Sequence, residues 1–455
     1  MNKKYEMDMC NGPLLSKILI FALPLMASGV LQLLFNAADI IVVGQFSGSQ
    51  ALAAVGSTSA LVNLFTNVFI GFSIGTNVLV AQFFAAKDDK NVFEIVHTSI
   101  LLAFIGGIFL ILVVIPFAPV ILAWMGTPDD VLSQAALYIR ILFVGMPMML
   151  VYNFGAAILR AIGDTRRPLY YLAFSGVINV VLNLIFVIVF HMGVAGVALA
   201  TIISQTISAL LVCKCLMQSD GMYRLDIKSL HINKGKMMAI VRIGLPAGLQ
   251  GAVFSISNVL IQSSVNSFGS VAMAGNTAGN NIEGFVYTAM NALYQTALSF
   301  TSQNLGGGKY ERIRKVAVQC LILVTLIGAV FGNLAIYFGD TLLGFYSSDP
   351  EVIAFGLRRL TIMCRVYFLC GLMDVTVGVL RGLGAAMSPM IISLTGACGL
   401  RVLWIFTVFQ WHRSLETLYI SYPITWTITW LAQLICLFII WKKNVVPRIK
   451  EREAA

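Results

Sequence analysis

Long apolar stretches, separated by short polar breaks, follow one another along nearly the whole chain. A transmembrane α-helix needs about 20 mainly apolar residues, because each residue advances the helix by about 1.5 Å through a hydrocarbon core of about 30 Å. The stretches therefore predict twelve transmembrane helices, several of them long enough to be tilted. The predicted spans are residues 15–43, 51–83, 94–117, 131–158, 169–190, 194–216, 238–265, 272–302, 315–338, 352–380, 390–410 and 418–441.

The two halves of the chain repeat one another. A constant shift of 221 residues pairs Gly48 with Gly269, and it pairs a Leu-Arg-x-x-Gly motif at 159–163 with the same motif at 380–384. Each half holds six spans, so both halves start and end on the same side of the membrane. Parallel repeats of this kind are related by a pseudo-two-fold axis along the membrane normal, an arrangement found in secondary transporters.

The pattern thus predicts an all-α membrane protein with twelve transmembrane helices in two six-helix lobes. One polar break, Gln218–Lys236, is much longer than the others and is the natural connection between the lobes. We place the N-lobe at residues 1–216 and a cytoplasmic linker at residues 217–236. The C-lobe, which ends in a basic cytoplasmic tail, occupies residues 237–455.

Composition and charge agree with a membrane protein. The chain is 58% hydrophobic and 11% charged, whereas a soluble domain carries about 25% charged residues. Lys and Arg, the source of the net charge of +10, concentrate in the termini and in the loops that share their side. The positive-inside rule then predicts that both termini are cytoplasmic. We expect a multi-pass protein of the cell (inner) membrane, with the lipid bilayer as its partner and no nucleic acid.

The sequence gives little support to enzyme or metal chemistry. The eight Cys residues are scattered and mostly lie in apolar runs, and the four His residues are far apart. They predict neither a disulfide framework nor a structural metal site. No nucleophile–base pair stands out, so we expect no catalytic residue and no cofactor.

Charged residues inside the predicted spans are the strongest functional signal, since a charge at the bilayer centre costs about 2.5–3.5 kcal/mol on insertion scales. Asp39 lies late in span 1, with Gln32 and Asn36 on the same helical face. In span 5, Asn179 and Asn183 are four residues apart. The two stripes predict a polar chamber whose cation-coupling residues are Asp39, Asn36, Asn179 and Asn183. The carboxylate can exchange H⁺ there, or it can coordinate Na⁺ together with the oxygens of Asn179 and Asn183.

The second half carries a different set of polar residues. Asp374 lies in the middle of span 10, and Glu283 opens a stripe in span 8 that continues with Tyr287 and Asn291. A carboxylate beside aromatic faces suits an organic cation, which gains charge neutralisation and cation–π contact. We predict that Gln32, Glu283, Tyr287, Asn291 and Asp374 bind the substrate. An interfacial Glu283 that caps a helix end is the alternative for that residue.

Several arginines also fall inside predicted spans. Arg140, Arg358 and Arg359 lie near the outer ends of their spans, and we expect them to extend toward the interface. Arg401 lies deeper, and the sequence identifies no partner for it.

Short motifs add a further signal. They are the acidic stretch Asp39–Gly44, the loop Gln303–Gly308 after span 8, the Leu-Arg motifs at 159–164 and 380–384, and Asp374, seven residues before Arg381. With the two six-span halves, this pattern resembles the multidrug and toxic compound extrusion (MATE) antiporters over about residues 12–442. The resemblance implies export of amphipathic, often cationic, drugs and other small organic compounds from the cytoplasm. Inward H⁺ or Na⁺ would drive this export through a cavity between the lobes of a monomer.

One feature departs from some members of that family. Those members carry an acid in span 7, whereas residues 239–268 contain no Asp or Glu. The sequence therefore predicts no Na⁺ site of that kind in the C-lobe. We expect ion coupling in the N-lobe, where Asn179 and Asn183 fall at polar positions of the family's cation site.

Three other classes of protein remain as alternatives. A flippase for lipid-linked saccharides would need a cationic cavity, which Arg140, Arg365 and Arg401 could supply. A transporter of the major facilitator class would carry a Gly-x-x-x-Asp-Arg loop after span 2, but Ala85–Lys90 stands there. A receptor or a membrane-embedded enzyme would show no flux that depends on an ion gradient.

Overall fold

The computed structural model describes residues 5–454, and these residues form helices throughout, without a β-strand. Residues 1–4, in the predicted N-lobe, and residue 455, in the predicted C-lobe, lie outside the described residues. The side chains of Ser49, Ala60 and residues 452–454 are not described either. The α-helices are α1 (Leu14–Phe46), α2 (Ser49–Ala85), α3 (Asp89–Trp124), α4 (Asp129–Val144), α5 (Met146–Ala161), α6 (Arg166–Leu184), α7 (Gly193–Met217), α8 (Lys234–Asn266), α9 (Ser270–Gly306), α10 (Tyr310–Tyr337), α11 (Gly339–Gly344), α12 (Pro350–Cys364), α13 (Phe368–Gly382), α14 (Met387–Ser393), α15 (Leu400–Phe406), α16 (Val408–Trp411), α17 (Leu415–Ile440) and α18 (Val446–Ala454). Three π-helical turns (Ile185–Val189, Leu394–Gly399 and Trp441–Val445) and one 3-10 turn (Ile227–Ser229) complete the helical segments.

The predicted spans each fall on one helix or on one interrupted helix. Within residues 5–454, nine helical stretches are long and apolar enough to cross a membrane, and the bent pairs α4–α5 and α12–α13 bring the number to eleven. The remaining predicted span, residues 272–302, is α9, a single helix of 37 residues that is rich in Asn, Thr and Gln. The all-α membrane fold is therefore confirmed, and the chain is a multi-pass membrane protein.

The internal repeat is visible in the backbone. Gly48 and Gly269 have φ of +85° and +98°, and Gly163 and Gly384 have φ of +96° and +84°. These are the left-handed conformations that glycine adopts without a Cβ clash. The bends are repeated as well, with 49° between α4 and α5 and 48° between α12 and α13. The same turns and bends thus recur at equivalent positions of the two halves.

The chain forms two compact units, which we call the first and the second unit. The first contains the residues up to Asp8 and Ala27–Gly248, and the second contains Met9–Met26 and the residues from Leu249 onward. The starts of α1 and α8 therefore belong to a different unit from the rest of each helix. The lobe boundaries at 216 and 237 stay a prediction.

Two helices of the first unit cross at backbone contact. A Cβ atom on Gly71 in α2 would lie 2.2 Å from the backbone nitrogen of Gly248 in α8, and one on Gly75 would lie 2.4 Å from the carbonyl oxygen of Ile240. Gly244 also meets the backbone of α2, since its Cβ would lie 2.8 Å from the carbonyl oxygen of Gly71. Glycines four residues apart on both helices allow this approach, as is typical of helix packing in membranes.

The start of the chain is anchored to the first unit through a loop motif. The backbone nitrogen of Met7 donates to the carbonyl oxygen of Ile162 at 3.1 Å, and the hydroxyl of Tyr223 donates to Glu6 at 2.9 Å. A Cβ on Gly163 would lie 2.5–2.8 Å from atoms of Met7. The glycine of the Leu-Arg-x-x-Gly motif is therefore needed both for its positive φ and for this close contact.

The next residues are anchored to the second unit by the motif Gln303–Gly308. The backbone nitrogen of Met9 donates to Oε1 of Gln303 at 3.3 Å, and Nδ2 of Asn304 donates to the carbonyl oxygen of Met9 at 3.2 Å. Arg312 donates to the same carbonyl at 3.1 Å. Gln303 and Asn304 lie in the last turn of α9 and not, as the sequence predicted, in a loop, and this helix end anchors the backbone of Met9.

Candidate functional site

Three of the predicted coupling residues form one hydrogen-bonded cluster in the first unit. Nδ2 of Asn183 in α6 donates to Oδ1 of Asp39 in α1 and to Oδ1 of Asn179 at 3.2 Å. Asn179 in turn lies 3.5 Å from the hydroxyl of Thr201 in α7, and that hydroxyl also interacts with Asp39. We call Asp39, Asn179, Asn183 and Thr201 the Asp39 cluster.

The local sequence explains how α6 presents its two amides. Asn179 and Asn183 are one helical turn apart, so they share a face, and both are buried. Directly after them, α6 changes into the π-helical turn Ile185–Val189. Such turns interrupt the regular hydrogen-bond ladder and are frequent at functional sites.

The cluster contains one unsatisfied acceptor. Oδ1 of Asn183 is buried and has no hydrogen-bond partner among the described residues. Buried polar atoms are normally paired. A proton on the neighbouring carboxylate, or a bound cation, would give this unpaired oxygen a partner.

The predicted residues of α1 do not all join this cluster. The side chains of Gln32 and Asn36 are exposed and bond to each other at 3.4 Å. Thr201 is the member that the sequence did not predict, because a single threonine in an apolar span carries no distinguishing pattern. The roles of Asn36 and Gln32 stay predictions.

The second unit contains a buried ion pair that corrects one prediction. Nε and Nη2 of Arg359 in α12 donate to the two carboxylate oxygens of Glu283 in α9, at 2.8 and 2.7 Å. The side chains are only 5% and 3% exposed, and Nη1 of Arg359 donates to Asn276 at 2.7 Å. The prediction that Arg359 extends toward the interface is wrong, because Glu283 gives it a buried partner.

The other predicted arginines differ in their surroundings. Arg358, next in sequence to Arg359, is exposed and pairs with Glu416 at 2.9 Å. Arg140 is exposed and donates to the carbonyl oxygen of Ile115 at 3.4 Å. Arg401 is buried against the ring of Tyr422, 3.9 Å from the ring centroid.

The remaining predicted substrate residues lie together, one turn along α9 from the ion pair. The carboxylate of Asp374 in α13 faces the hydroxyl of Tyr287, which also interacts with Asn291. Asn291 accepts from Gln295 at 3.1 Å. This group offers a carboxylate, an aromatic face and amides. The substrate-binding assignment of these residues and of Glu283 stays a prediction, and both oxygens of Glu283 already bond to Arg359.

A helical membrane protein with duplicated halves and carboxylates within its spans has the architecture of a secondary transporter. A family model described as MatE matches residues 24–185 and 246–407, one segment in each half. The chain therefore belongs to the MATE family, as the motifs predict. A second model, described as Lipid II flippase MurJ, matches residues 126–264.

Individual proteins resemble the chain over most of its length. A Bacillus subtilis protein named "Probable multidrug resistance protein YoeA" is 29% identical over 439 residues, covering 94% of this chain and 95% of that protein. The "Multidrug export protein MepA" of Staphylococcus aureus is 22% identical over 395 residues, 87% of each chain. The solved structure "Outward-facing conformation of a multidrug resistance MATE family transporter of the MOP superfamily" has a TM-score of 0.89 at 20% identity, covering 97% of this chain and 98% of that one. The chain thus has the fold of that transporter.

Proposed function

We propose that this protein exports amphipathic, often cationic, organic compounds in exchange for H⁺ or Na⁺ by alternating access. Family membership and the names of the relatives support transport of small organic compounds. The observation that carries the ion coupling is the Asp39 cluster, in which a carboxylate lies beside a buried amide oxygen without a donor. The coupling ion is the only cofactor that this function needs.

H⁺ and Na⁺ would both be bound by the same side-chain oxygens of the Asp39 cluster. A proton on Asp39 makes the carboxyl group a donor, so that it can bond to the unpaired oxygen of Asn183. A Na⁺ ion, which prefers oxygen ligands, would take the carboxylate together with the amide oxygens of Asn179 and Asn183. Both events neutralise the only charge of the cluster and remove an unsatisfied acceptor.

The substrate site in this proposal is the group of Asp374, Tyr287 and Asn291. A carboxylate and a tyrosine face bind an organic cation by charge neutralisation and by cation–π attraction, which contributes about 0.5–2 kcal/mol. Glu283 contributes less, because Arg359 already neutralises its charge. Gln32 lies in the first unit, and its role in substrate binding stays a separate prediction.

Transport then follows from binding preferences. A bound ion shifts the equilibrium between outward-open and inward-open states only by its differential affinity for the two states. Ion binding to Asp39 from outside favours release of the substrate, and ion release inside favours substrate uptake. If one net charge moves inward per cycle, the membrane potential contributes about 2.3 kcal/mol per 100 mV. We place both termini in the cytoplasm and the protein in the cell membrane as a monomer.

The test is flux of a fluorescent cationic dye in liposomes that contain the purified protein, with a pH gradient and a Na⁺ gradient imposed separately. We expect dye flux to follow one of the gradients and to fall to the level of protein-free liposomes in Asp39→Asn. The matched variant is Asp374→Asn, for which we expect a higher KM for the dye with coupling retained. Normal gradient-driven flux in Asp39→Asn would remove the coupling role of the Asp39 cluster.

The flippase of lipid-linked saccharides is the second candidate, and the MurJ match over residues 126–264 favours it. The same liposomes decide between the two. If neither gradient moves the dye but a labelled lipid-linked saccharide crosses the bilayer, the flippase is correct and drug efflux is not.

A further inference from the structure

One face of α9, in the second unit, carries polar and aromatic side chains that are accessible. Asn280 is exposed, Tyr287 is 38% exposed and Asn291 is half-buried. Their spacing of seven and four residues places them on one side of the helix, within the predicted span 272–302. Amides and hydroxyls are costly to expose to hydrocarbon, because lipid tails offer them no hydrogen bond. This face of α9 therefore borders water or a bound compound.

Gly284 leaves open space in the middle of this face. It lies between Asn280 and Tyr287, and a Cβ at this position would have no atom of the described chain within 4 Å. Glycine destabilises a helix relative to alanine. The preceding glycines, Gly275 and Gly279, offset this by packing against α12, where a Cβ would lie 2.6 and 3.2 Å from the nearest atoms. Gly284 has no such packing, so its missing side chain keeps this part of the face open.

The ion pair of Arg359 and Glu283 fixes how Asn280 presents its amide. Nη2 of Arg359 donates to Oδ1 of Asn280 at 3.2 Å, and a guanidinium group can only donate. The oxygen of Asn280 must therefore face Arg359, and the Nδ2 group remains for another partner. This group makes no hydrogen bond to any residue in the described part of the chain. Since Glu283 neutralises Arg359, Asn280 offers a neutral donor whose orientation is fixed.

A second exposed amide lies at the same level on α8. Nδ2 of Asn276 in α9 donates to Oε1 of Gln262 in α8 at 2.9 Å, so these two positions are level with each other. The helices are joined by the short turn 267–269 and run in opposite directions. One turn before Gln262 is Asn258, and one turn after Asn276 is Asn280, so these two are level as well. Asn258 is exposed and has no hydrogen-bond partner among residues 5–454.

We propose that this face of α9, together with Asn258 of α8, binds a neutral oxygen-containing group of the transported organic cation. The inference rests on the proposed function and narrows its substrate class. The charged end of the compound lies beside Asp374 and Tyr287, and its apolar body covers Gly284. A carbonyl or hydroxyl oxygen of the compound accepts from Nδ2 of Asn280, and Asn258 donates to the same oxygen. Asn280 and Tyr287 are seven residues apart, so this oxygen lies about 10 Å from the charged group.

The test compares two trimethylammonium compounds that differ in one group. The first carries a ketone about 10 Å from the nitrogen, and the second has a methylene group in its place. Calorimetry measures the affinity of both compounds for the purified full chain in detergent, without an ion gradient. The quantity of interest is the ketone preference, which is the affinity for the first compound divided by that for the second. No binding of either compound to the wild type overturns the proposal.

Asn280→Ala removes the oriented donor. A neutral hydrogen bond changes an affinity by a factor of about 2–12, so the ketone preference should fall by that factor. Asn258→Ala should lower it as well, and this variant keeps the test valid if Asn280→Ala does not fold, since Asn258 does not contact Arg359. The matched control is Asn333→Ala in α10, an exposed asparagine whose Nδ2 donates to the carbonyl oxygen of Ala329 in its own helix at 2.7 Å. An unchanged ketone preference in both Asn280→Ala and Asn258→Ala overturns the proposal.

Gly284→Leu tests the open space. Leucine is a better helix former than glycine and its Cβ meets no described atom, so the unfolding temperature should not fall. Its side chain fills the space that the body of the compound needs, and both affinities should fall about fivefold or more. Wild-type affinities in this variant contradict the assigned path along α9. None of these measurements uses transport, so the dye flux in liposomes separates a failed binding face from a failed transport function.

Discussion

Asp39 in the first unit and Glu283 in the second are both carboxylates inside predicted spans, but their partners differ. Asp39 interacts with the amide of Asn183 and the hydroxyl of Thr201. Glu283 is held by a guanidinium through two parallel hydrogen bonds. The charge of Glu283 is thus neutralised within the protein, whereas the proposed function requires that an ion which binds and leaves neutralises the charge of Asp39. The neutral partners of Asp39 are consistent with that role, and the cationic partner of Glu283 is not.

The internal repeat does not explain this difference. The shift of 221 residues that aligns the two halves places Asn153 opposite Asp374. Asn153 donates to the carbonyl oxygen of Met149 in its own helix, at 2.9 Å. The duplicated halves therefore share their turns, their bends and the arginines of the Leu-Arg motifs, but not the carboxylates within their spans.

The largest expected effect comes from breaking the ion pair of the second unit. Glu283→Gln leaves Arg359 buried without a counter-charge, which costs about 3–5 kcal/mol when one partner of such a pair is removed. We expect a strongly lowered unfolding temperature in detergent. Asp39→Asn, which replaces a carboxylate by an amide among amides, should leave the unfolding temperature nearly unchanged.

The double variant Glu283→Gln with Arg359→Met is the control, because it removes both charges and keeps similar volumes. It should recover most of the lost stability. If Glu283→Gln and Asp39→Asn lowered the unfolding temperature equally, the ion pair with Arg359 would not make Glu283 more important for stability than Asp39.

The repeat offers a second comparison, between Gly163 and Gly384. Both have positive φ, so alanine at either position is strained by about 1–2 kcal/mol. Only Gly163 has a neighbour in the way, with atoms of Met7 at 2.5–2.8 Å from a Cβ, whereas nothing lies within 4 Å at Gly384. Overpacking adds about 1–3 kcal/mol, so Gly163→Ala should unfold at a lower temperature than Gly384→Ala. Removing residues 1–8 from both variants should abolish the difference if Met7 causes it.

Pattern and spacing predicted the fold to a large extent. Apolar runs predicted the helices, and the repeat found in the sequence paired glycines that share positive φ in the structure. The spacing of Asn179 and Asn183 also predicted two members of the Asp39 cluster. These features are local or periodic, so they can be read from one chain.

Pairing across the chain could not be predicted in the same way. Glu283 and Arg359 are 76 residues apart, and no pattern connects them. Their contact depends on how α9 packs against α12, which a single sequence does not determine. The same holds for Thr201 in the Asp39 cluster and for Tyr422 beside Arg401.

Helix packing in the first unit gives a smaller effect. Gly71→Ala places a methyl group 2.2 Å from the backbone of Gly248, where no flexible side chain can move aside, so we expect a loss of about 1–3 kcal/mol. Gly56, in the same helix, has nothing within 4 Å. Gly56→Ala should be neutral or gain up to about 1 kcal/mol from helix propensity. Similar unfolding temperatures for the two variants would exclude a tight crossing of α2 and α8.

The smallest effect is expected at Arg358, which is adjacent to Arg359. Its pair with Glu416 has side chains 53% and 43% exposed, and exposed ion pairs contribute about 0–1 kcal/mol because water and salt screen them. Arg358→Gln should therefore lower the unfolding temperature only slightly, and the loss should shrink further at high salt. Arg359→Gln, one residue along α12, leaves Glu283 unpaired and should show a large, salt-independent loss. If Arg358→Gln and Arg359→Gln lowered the unfolding temperature equally and with the same salt dependence, burial would not explain the expected difference between the two ion pairs.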